Sequence, residues 1–279
     1  MTLRVRNKFF LALDIVSALV FSVFLAAFIY FILVIGLPSV PSFSRLFPLC
    51  ETNVLIKNSP LAAMISKLVM PFYVTIFGLF MYLSFEKTKA QELVYIALYF
   101  VGCAMQGISI LIATLQMWET SSIMLIFIGK IALAGQILSI VSILILTLVE
   151  GSENADVNET YTDRNVWIGL SVSLFCASVM PINTTKIYSA FWCSTGFDVE
   201  IFVLFIMIMI VSIVFFACYT YKNGLSFFRG PALYVALLEC GYLFLSQCDN
   251  FLFLIIGTVL LFSSTYILLS LLRQKYLWS

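Results

Sequence analysis

The sequence predicts an all-α transmembrane fold: a polytopic bundle of about eight membrane-spanning helices, with seven as the alternative, and no soluble domain. Three observations predict it. Of the 279 residues, 62% are hydrophobic and only 10% are charged, whereas about a quarter of a soluble domain is charged, so too few ionised side chains exist to cover a water-facing surface. The apolar residues gather in runs close to the ~20 residues that a helix needs to cross the hydrocarbon core. Period-2 alternation, the mark of an outer-membrane barrel, is absent.

The runs cover residues 9–35, 61–85, 93–118, 123–149, 166–182, 201–221, 231–247 and 251–272 of one integral membrane domain spanning 1–279. The first follows Arg4, Arg6 and Lys8; this resembles the basic start of a signal peptide, but the apolar run is about twice the usual length, so it reads as a retained helix. The second carries Pro71 about ten residues in, where a kink is expected. The third and fourth hold Gly102, Gly107, Gly129, Ala132 and Gly135 at spacings that allow close helix approach, and a very short turn at Glu119 and Thr120 joins them into a hairpin. The fifth is short and polar-interrupted, ending near Pro181. The sixth is continuous, the seventh is short and contains Glu239, and the eighth ends at a basic tail with Arg273 and Lys275.

Two connections are longer than the rest. Residues 36–60 contain Pro38, Pro41, Pro48 and Pro60 among apolar residues, and are expected to lie folded on the outer membrane surface. Residues 150–165 form a hydrophilic acidic loop with Glu150, Glu153, Asp156, Glu159 and Asp163, dividing the spans four and four. Val69-Met70-Pro71 and Val179-Met180-Pro181 match across that divide. They fall in non-corresponding segments, so no internal repeat is expected.

Basic residues orient the chain. With the N-terminus inside, the inner segments hold Arg4, Arg6, Lys8, Lys87, Lys89, Arg164, Lys222, Arg229, Arg273 and Lys275, whereas the outer loops hold Arg45, Lys57 and Lys186. That asymmetry makes both termini cytoplasmic. Trp118 closes the third run, Trp167 opens the fifth, Trp192 lies in an outer loop and Trp278 follows the eighth, so none falls at a predicted mid-bilayer depth, as expected of indole, which prefers the headgroup level.

Composition also excludes chemistry. The chain has no histidine, which removes His general acid/base catalysis, Ser-His and Cys-His nucleophiles, His-ligated haem and His-containing zinc motifs. A formal charge of +1 gives no field to hold nucleic acid, and no phosphate-binding Gly-x-x-x-x-Gly-Lys-Ser/Thr or Gly-x-Gly-x-x-Gly motif occurs. No cofactor or metal is expected, and the partners are the lipid bilayer and, for an accessory role, another membrane subunit.

Ionisable groups inside spans are expensive and raise the question of function. Asp14, Lys67, Lys130 and Glu239 qualify. Lys67 is expected to snorkel outward and Asp14 to reach cytoplasmic water, while Lys130 either snorkels outward or meets Glu239. Glu239 is the deepest; it either meets Lys130 near the midplane, with Gln106, Gln136 and Ser139 adding hydrogen bonds, or is hydrogen-bonded within the bundle. Carboxylate catalysis would need Asp14 and Glu239 to converge. Cys103, Cys176, Cys218 and Cys240 sit in spans as small apolar groups. Cys50, Cys193 and Cys248 fall in outer loops, where Cys50 and Cys193 could pair if that side is oxidising. Two glycosylation-type triplets, at Asn158 and Asn183, read as chance matches.

Ser66-Lys67-Leu68-Val69-Met70-Pro71 resembles the Lys-Pro-containing second helix of the YhhN lysoplasmalogenase family, and Phe127-Ile128-Gly129 with Gly135-Gln136 is similar to its fourth. The resemblance implies an eight-helix enzyme that cleaves vinyl-ether lipids with membrane aspartates. The family's Gly-Asp pair falls near Gly107, where this sequence has Ile108, and its second aspartate has no counterpart except Glu239. Three function classes follow: a non-enzymatic transporter-like or accessory subunit in a cell membrane, which is favoured; a lipid-directed intramembrane enzyme; and a receptor or scaffold acting through its outer loops.

Overall fold

The computed structural model describes residues 3–37, 40, 41, 43, 45, 55–86, 88, 90, 92–120, 122–150, 158–222 and 231–277. Helices dominate: α1 (Leu3–Tyr30, finishing in a π-helical turn at Phe31–Ile35), α2 (Pro60–Ser84), α3 (Glu92–Gly107), α4 (Ile110–Thr114), α5 (Met117–Thr120), α6 (Ser122–Glu150), α7 (Asn158–Val179), α8 (Asp198–Lys222), α9 (Pro231–Ser246) and α10 (Phe251–Leu277). Strands β1 (Asn183–Ile187) and β2 (Cys193–Ser194) form a small antiparallel hairpin between α7 and α8. Among the described residues six helices are long and apolar enough to cross a membrane: α1, α2, α3 continued through α4, α6, α8 and α10. The other two expected spans are α7, which opens on polar residues, and α9, at 16 residues.

Three expectations change in detail. The third run, 93–118, is not one helix, because it breaks after Gly107 and again at Leu115–Gln116, where Gln116 has φ 47°. The cause is local: Ile108 and Ser109 turn back onto the Met105 and Gln106 carbonyls, and the Ser109 hydroxyl also donates to Gln106, so the i→i+4 ladder is interrupted. The acidic stretch 150–165 is helical from Asn158 onward, extending α7 beyond the apolar run; residues 151–157 lie outside the described residues. The segment 183–194, read as plain loop, holds the hairpin.

Six helices close on one another in the order α2, α3, α6, α8, α9, α10 and back to α2, with α1 outside against α2 and α7 outside against α6. Packing follows residue size. α3 is apolar nearly all round and buried on most of its surface, as an inner helix must be. The expected hairpin forms with the glycines facing each other: a Cβ on Gly102 would stand 2.6 Å from the Gly135 carbonyl, and one on Gly135 would stand 2.6 Å from the Gly102 carbonyl. α9 and α10 approach as closely at Gly241 and Gly257. An aromatic cluster fills the middle, with Tyr73 5.3 Å from both Phe100 and Phe262 between ring centroids.

Arg6 ties the start of α1 to the α2–α3 turn, donating to the Phe85 carbonyl at 2.7 Å and the Ala90 carbonyl at 3.3 Å. Phe85 caps α2, so the guanidinium answers a carbonyl at a helix end. α10 runs alongside α2, with Phe72 near Phe262 and Phe80 near Tyr266. The start of α1 and the end of α10 therefore share one end of the bundle. The opposite end, called the cap here, carries the hairpin and the α9–α10 link.

Candidate functional site

The in-span polar residues fall into separate places. Lys67 points inward: it is 2% exposed, and its Nζ donates to the carbonyl of Ser246, the last residue of α9, at 2.6 Å. This corrects the outward-snorkelling expectation. The physical reason is that α9 is short and leaves its C-terminal carbonyls inside the bundle, where a cation is the favourable partner. Lys130 is half-buried, and its Nζ donates to the Ser178 carbonyl on the exposed side of α7 at 2.6 Å.

Glu239 is 3% exposed, and neither carboxyl oxygen has a hydrogen-bond partner among the described residues. Lys130 and Glu239 thus make separate arrangements rather than the ion pair considered from sequence. Asp14 is half-buried and packs against Gly78 of α2, its Oδ1 3.6 Å from where a glycine Cβ would stand. Helix α1 packs chiefly on α2 and makes no extensive contact with α9. The two in-span acids do not converge.

Gln106 and Gln136 do come together. With Lys67, Ser109, Trp192 and Cys193 they line a small polar chamber of about 20 Å³, about the space of one water molecule. Oε1 of Gln106 and Nε2 of Gln136 have no protein partner among the described residues. Nearby, the Ser139 hydroxyl donates to the Gly135 carbonyl and lies 3.8 Å from the Cys103 sulfur. Tyr99 and Tyr242 meet edge-on at 5.8 Å beside them.

The cap is a second polar cluster that sequence reasoning missed. Asp249 is ion-paired with Arg45, whose Nε stands 2.8 Å from a carboxylate oxygen, and it accepts from the Ser189 hydroxyl at 2.9 Å and from Asn250 Nδ2 at 2.8 Å. Asn250 in turn accepts from the Phe253 N–H, capping α10. Asp198 accepts from the Tyr188, Ser194 and Thr195 hydroxyls and from the Thr195 N–H, all within 2.9 Å.

Sequence signals for both existed. Thr195 and Asp198 have the spacing of a capping box before an apolar run, and Asp249-Asn250 precedes another. The pairing with Arg45 had no such signal, since it joins residues about 200 positions apart. Cys193 is buried against Gly129 and burial pushes its thiol up to about 12. Cys50, its candidate disulfide partner, lies outside the described residues.

Against the cap, α8, α9 and α10 enclose a cavity of about 240 Å³. Its walls include Phe202, Leu243, Phe244 and Phe253, and its polar end includes Arg45, Asp249 and Gln247. Among the described residues no group of three or more acidic or cysteine side chains could hold a metal ion. No protein-family model, curated protein or solved structure matches this chain, so its likeness to the lysoplasmalogenase family stays with the two short motifs in which it was seen.

Proposed function

We propose that this multi-pass membrane protein is a non-enzymatic transporter-like or accessory subunit of a membrane complex, that it crosses the bilayer eight times, and that both termini are cytoplasmic. The observation that carries the reading is the separation of the in-span polar groups. Asp14 lies on an outer helix, Glu239 on an inner one, and both lysines are engaged with helix carbonyls. Carboxylate chemistry on a lipid needs two acids at one place, so the lipid-directed enzyme reading gains no support from this arrangement.

Within the favoured class the accessory role is the better supported. The chamber at Lys67, Gln106 and Gln136 has about 20 Å³, far less than the several hundred Å³ of a small-molecule site. A Gln136→Cys variant in native membranes tests this with a membrane-impermeant thiol reagent applied from each side. The expected result is no labelling above wild type from either side, with full labelling after denaturation. Labelling from both sides would replace the accessory role with alternating access.

A further inference from the structure

Helix α2 reaches the outer surface of the bundle along only part of its length. From Pro60 to Pro71 none of its side chains is exposed, whereas Phe72, Ile76, Leu79 and Leu83 are exposed and fall at i, i+4, i+7 and i+11, which is one stripe. Helices α1 and α10 flank that stripe. The Phe72 ring lies 5.2 Å from Phe21 of α1 and 6.4 Å from Phe262 of α10 between centroids. Further along, Asp14 of α1 packs against Gly78, and Tyr266 of α10 stands beside Phe80. The stripe is therefore the floor of an apolar trough between α1 and α10. From Phe72 to Leu83 the trough runs about 16 Å, roughly half of the hydrocarbon core and so the depth of one leaflet.

The open end of the trough is cationic. The Asn7 amide donates to the Glu86 carbonyl at 2.8 Å, so Arg4, one turn earlier, stands just past the end of α2. Arg273 follows Tyr266 by two turns of α10, on the same side of that helix and level with the same end. Both arginines are exposed, and neither makes a hydrogen bond or ion pair among the described residues. The segments 3–8, 86–92 and 272–277 hold seven basic residues against Glu86 and Glu92, whereas 150–165 holds five acidic residues against Arg164. Basic charge thus gathers in the segments that begin α1 and end α2 and α10.

A trough confined to one leaflet does not suit a partner helix, which would cross both. It suits acyl chains, and two arginines without a counter-charge suit a phosphate, which a guanidinium meets with paired N–H donors. We infer that the trough binds an anionic glycerophospholipid, its phosphate between Arg4 and Arg273 and its acyl chains on Phe72, Ile76, Leu79 and Leu83. The inference is independent of the accessory role proposed above. Only the naming of that leaflet as cytoplasmic rests on the proposed orientation, which terminal tags read separately.

The test titrates the full chain in detergent micelles with phosphatidylglycerol or phosphatidylcholine of the same acyl chains and reads the first bound lipid by native mass spectrometry. Phosphatidylglycerol is expected to bind at least about tenfold more tightly, and Arg4→Gln or Arg273→Gln each to lower its affinity about fivefold while leaving phosphatidylcholine unchanged. Lys222→Gln removes the same charge at the end of α8, which makes no extensive contact with α1 or α2, and should change nothing. Excess glycerol phosphate, the headgroup without chains, should not displace the lipid. Thermal unfolding identifies any variant that fails to fold, and if one arginine variant does, the other decides. Equal affinity for the two lipids overturns the inference. So does a Lys222→Gln effect as large as that of Arg273→Gln, which would mean diffuse charge rather than a site, or displacement by glycerol phosphate, which would mean that the trough takes no part.

Discussion

Lys67 and Glu239 are both buried ionisable side chains, and their surroundings set opposite expectations. Lys67 answers a carbonyl at the end of α9, whereas Glu239 answers nothing among the described residues. A buried polar group without a partner costs roughly 1–3 kcal/mol, and an apolar replacement of similar size recovers it. Glu239→Leu is therefore expected to raise the thermal unfolding temperature in detergent, and Glu239→Gln to leave insertion and folding intact while impairing any function that uses the carboxyl. A lower unfolding temperature for Glu239→Leu would mean that the carboxyl has a structural partner. Should Glu239→Gln match wild type in every assay, the scaffold reading gains.

The thiols outside the spans make a pH prediction. Burial pushes Cys193 up to about 12 and Cys248 up to about 11, from an ordinary value of 9.0. At pH 8 both should resist a water-soluble alkylating reagent in the folded protein and react once it is unfolded. The sign for stability follows from linkage: above pH 9 the unfolded chain loses these protons while the native one keeps them, so stability falls as pH rises from 9 toward 11 and 12. The slope is at most about 1.4 kcal/mol per pH unit for each thiol. Flat unfolding temperatures from pH 8 to 11 would show that these thiols are not buried.

At the scale of elements, contact distance separates one glycine from another. A Cβ on Gly102 would run into the Ser139 hydroxyl and fall 2.6 Å from a carbonyl of α6, whereas one on Gly129 would meet nothing closer than 3.4 Å. Gly102→Ala must push two helices apart and is expected to cost about 1–3 kcal/mol. Gly129→Ala should stay within about 0.5 kcal/mol of wild type. Denaturant titration of the two variants side by side checks the ordering, and equal effects would contradict the backbone-to-backbone packing of α3 on α6. The same closeness appears at Gly107, where a Cβ would stand 2.8 Å from Pro71 Cδ, so α3 ends where the proline ring of α2 occupies the space of a side chain.

For the whole molecule, the start of α1 and the end of α10 lie at one end of the bundle. An even number of crossings requires this, and seven would not allow it. Epitope tags at both termini should become accessible to antibody together, when the cytoplasmic face is opened, and exposure of one tag without the other would exclude the eight-span topology. The proposed cytoplasmic placement of that end rests on the basic residues of the loops, ten against three.

The sequence by itself determined that the chain is a helical membrane protein, roughly where each helix runs, and that α3 and α6 form a hairpin, because length, hydropathy and small-residue spacing are local properties that bilayer physics reads directly. It also singled out Gln106 and Gln136, which do line one chamber. Only the tertiary structure decided that Lys67 points inward, that Lys130 and Glu239 stand apart, and that Asp249 pairs with Arg45. Each of those outcomes depends on which helix end or side chain lies beside the group. A charged side chain in a low-dielectric interior goes to the nearest partner, and that partner is set by packing between segments far apart in the chain.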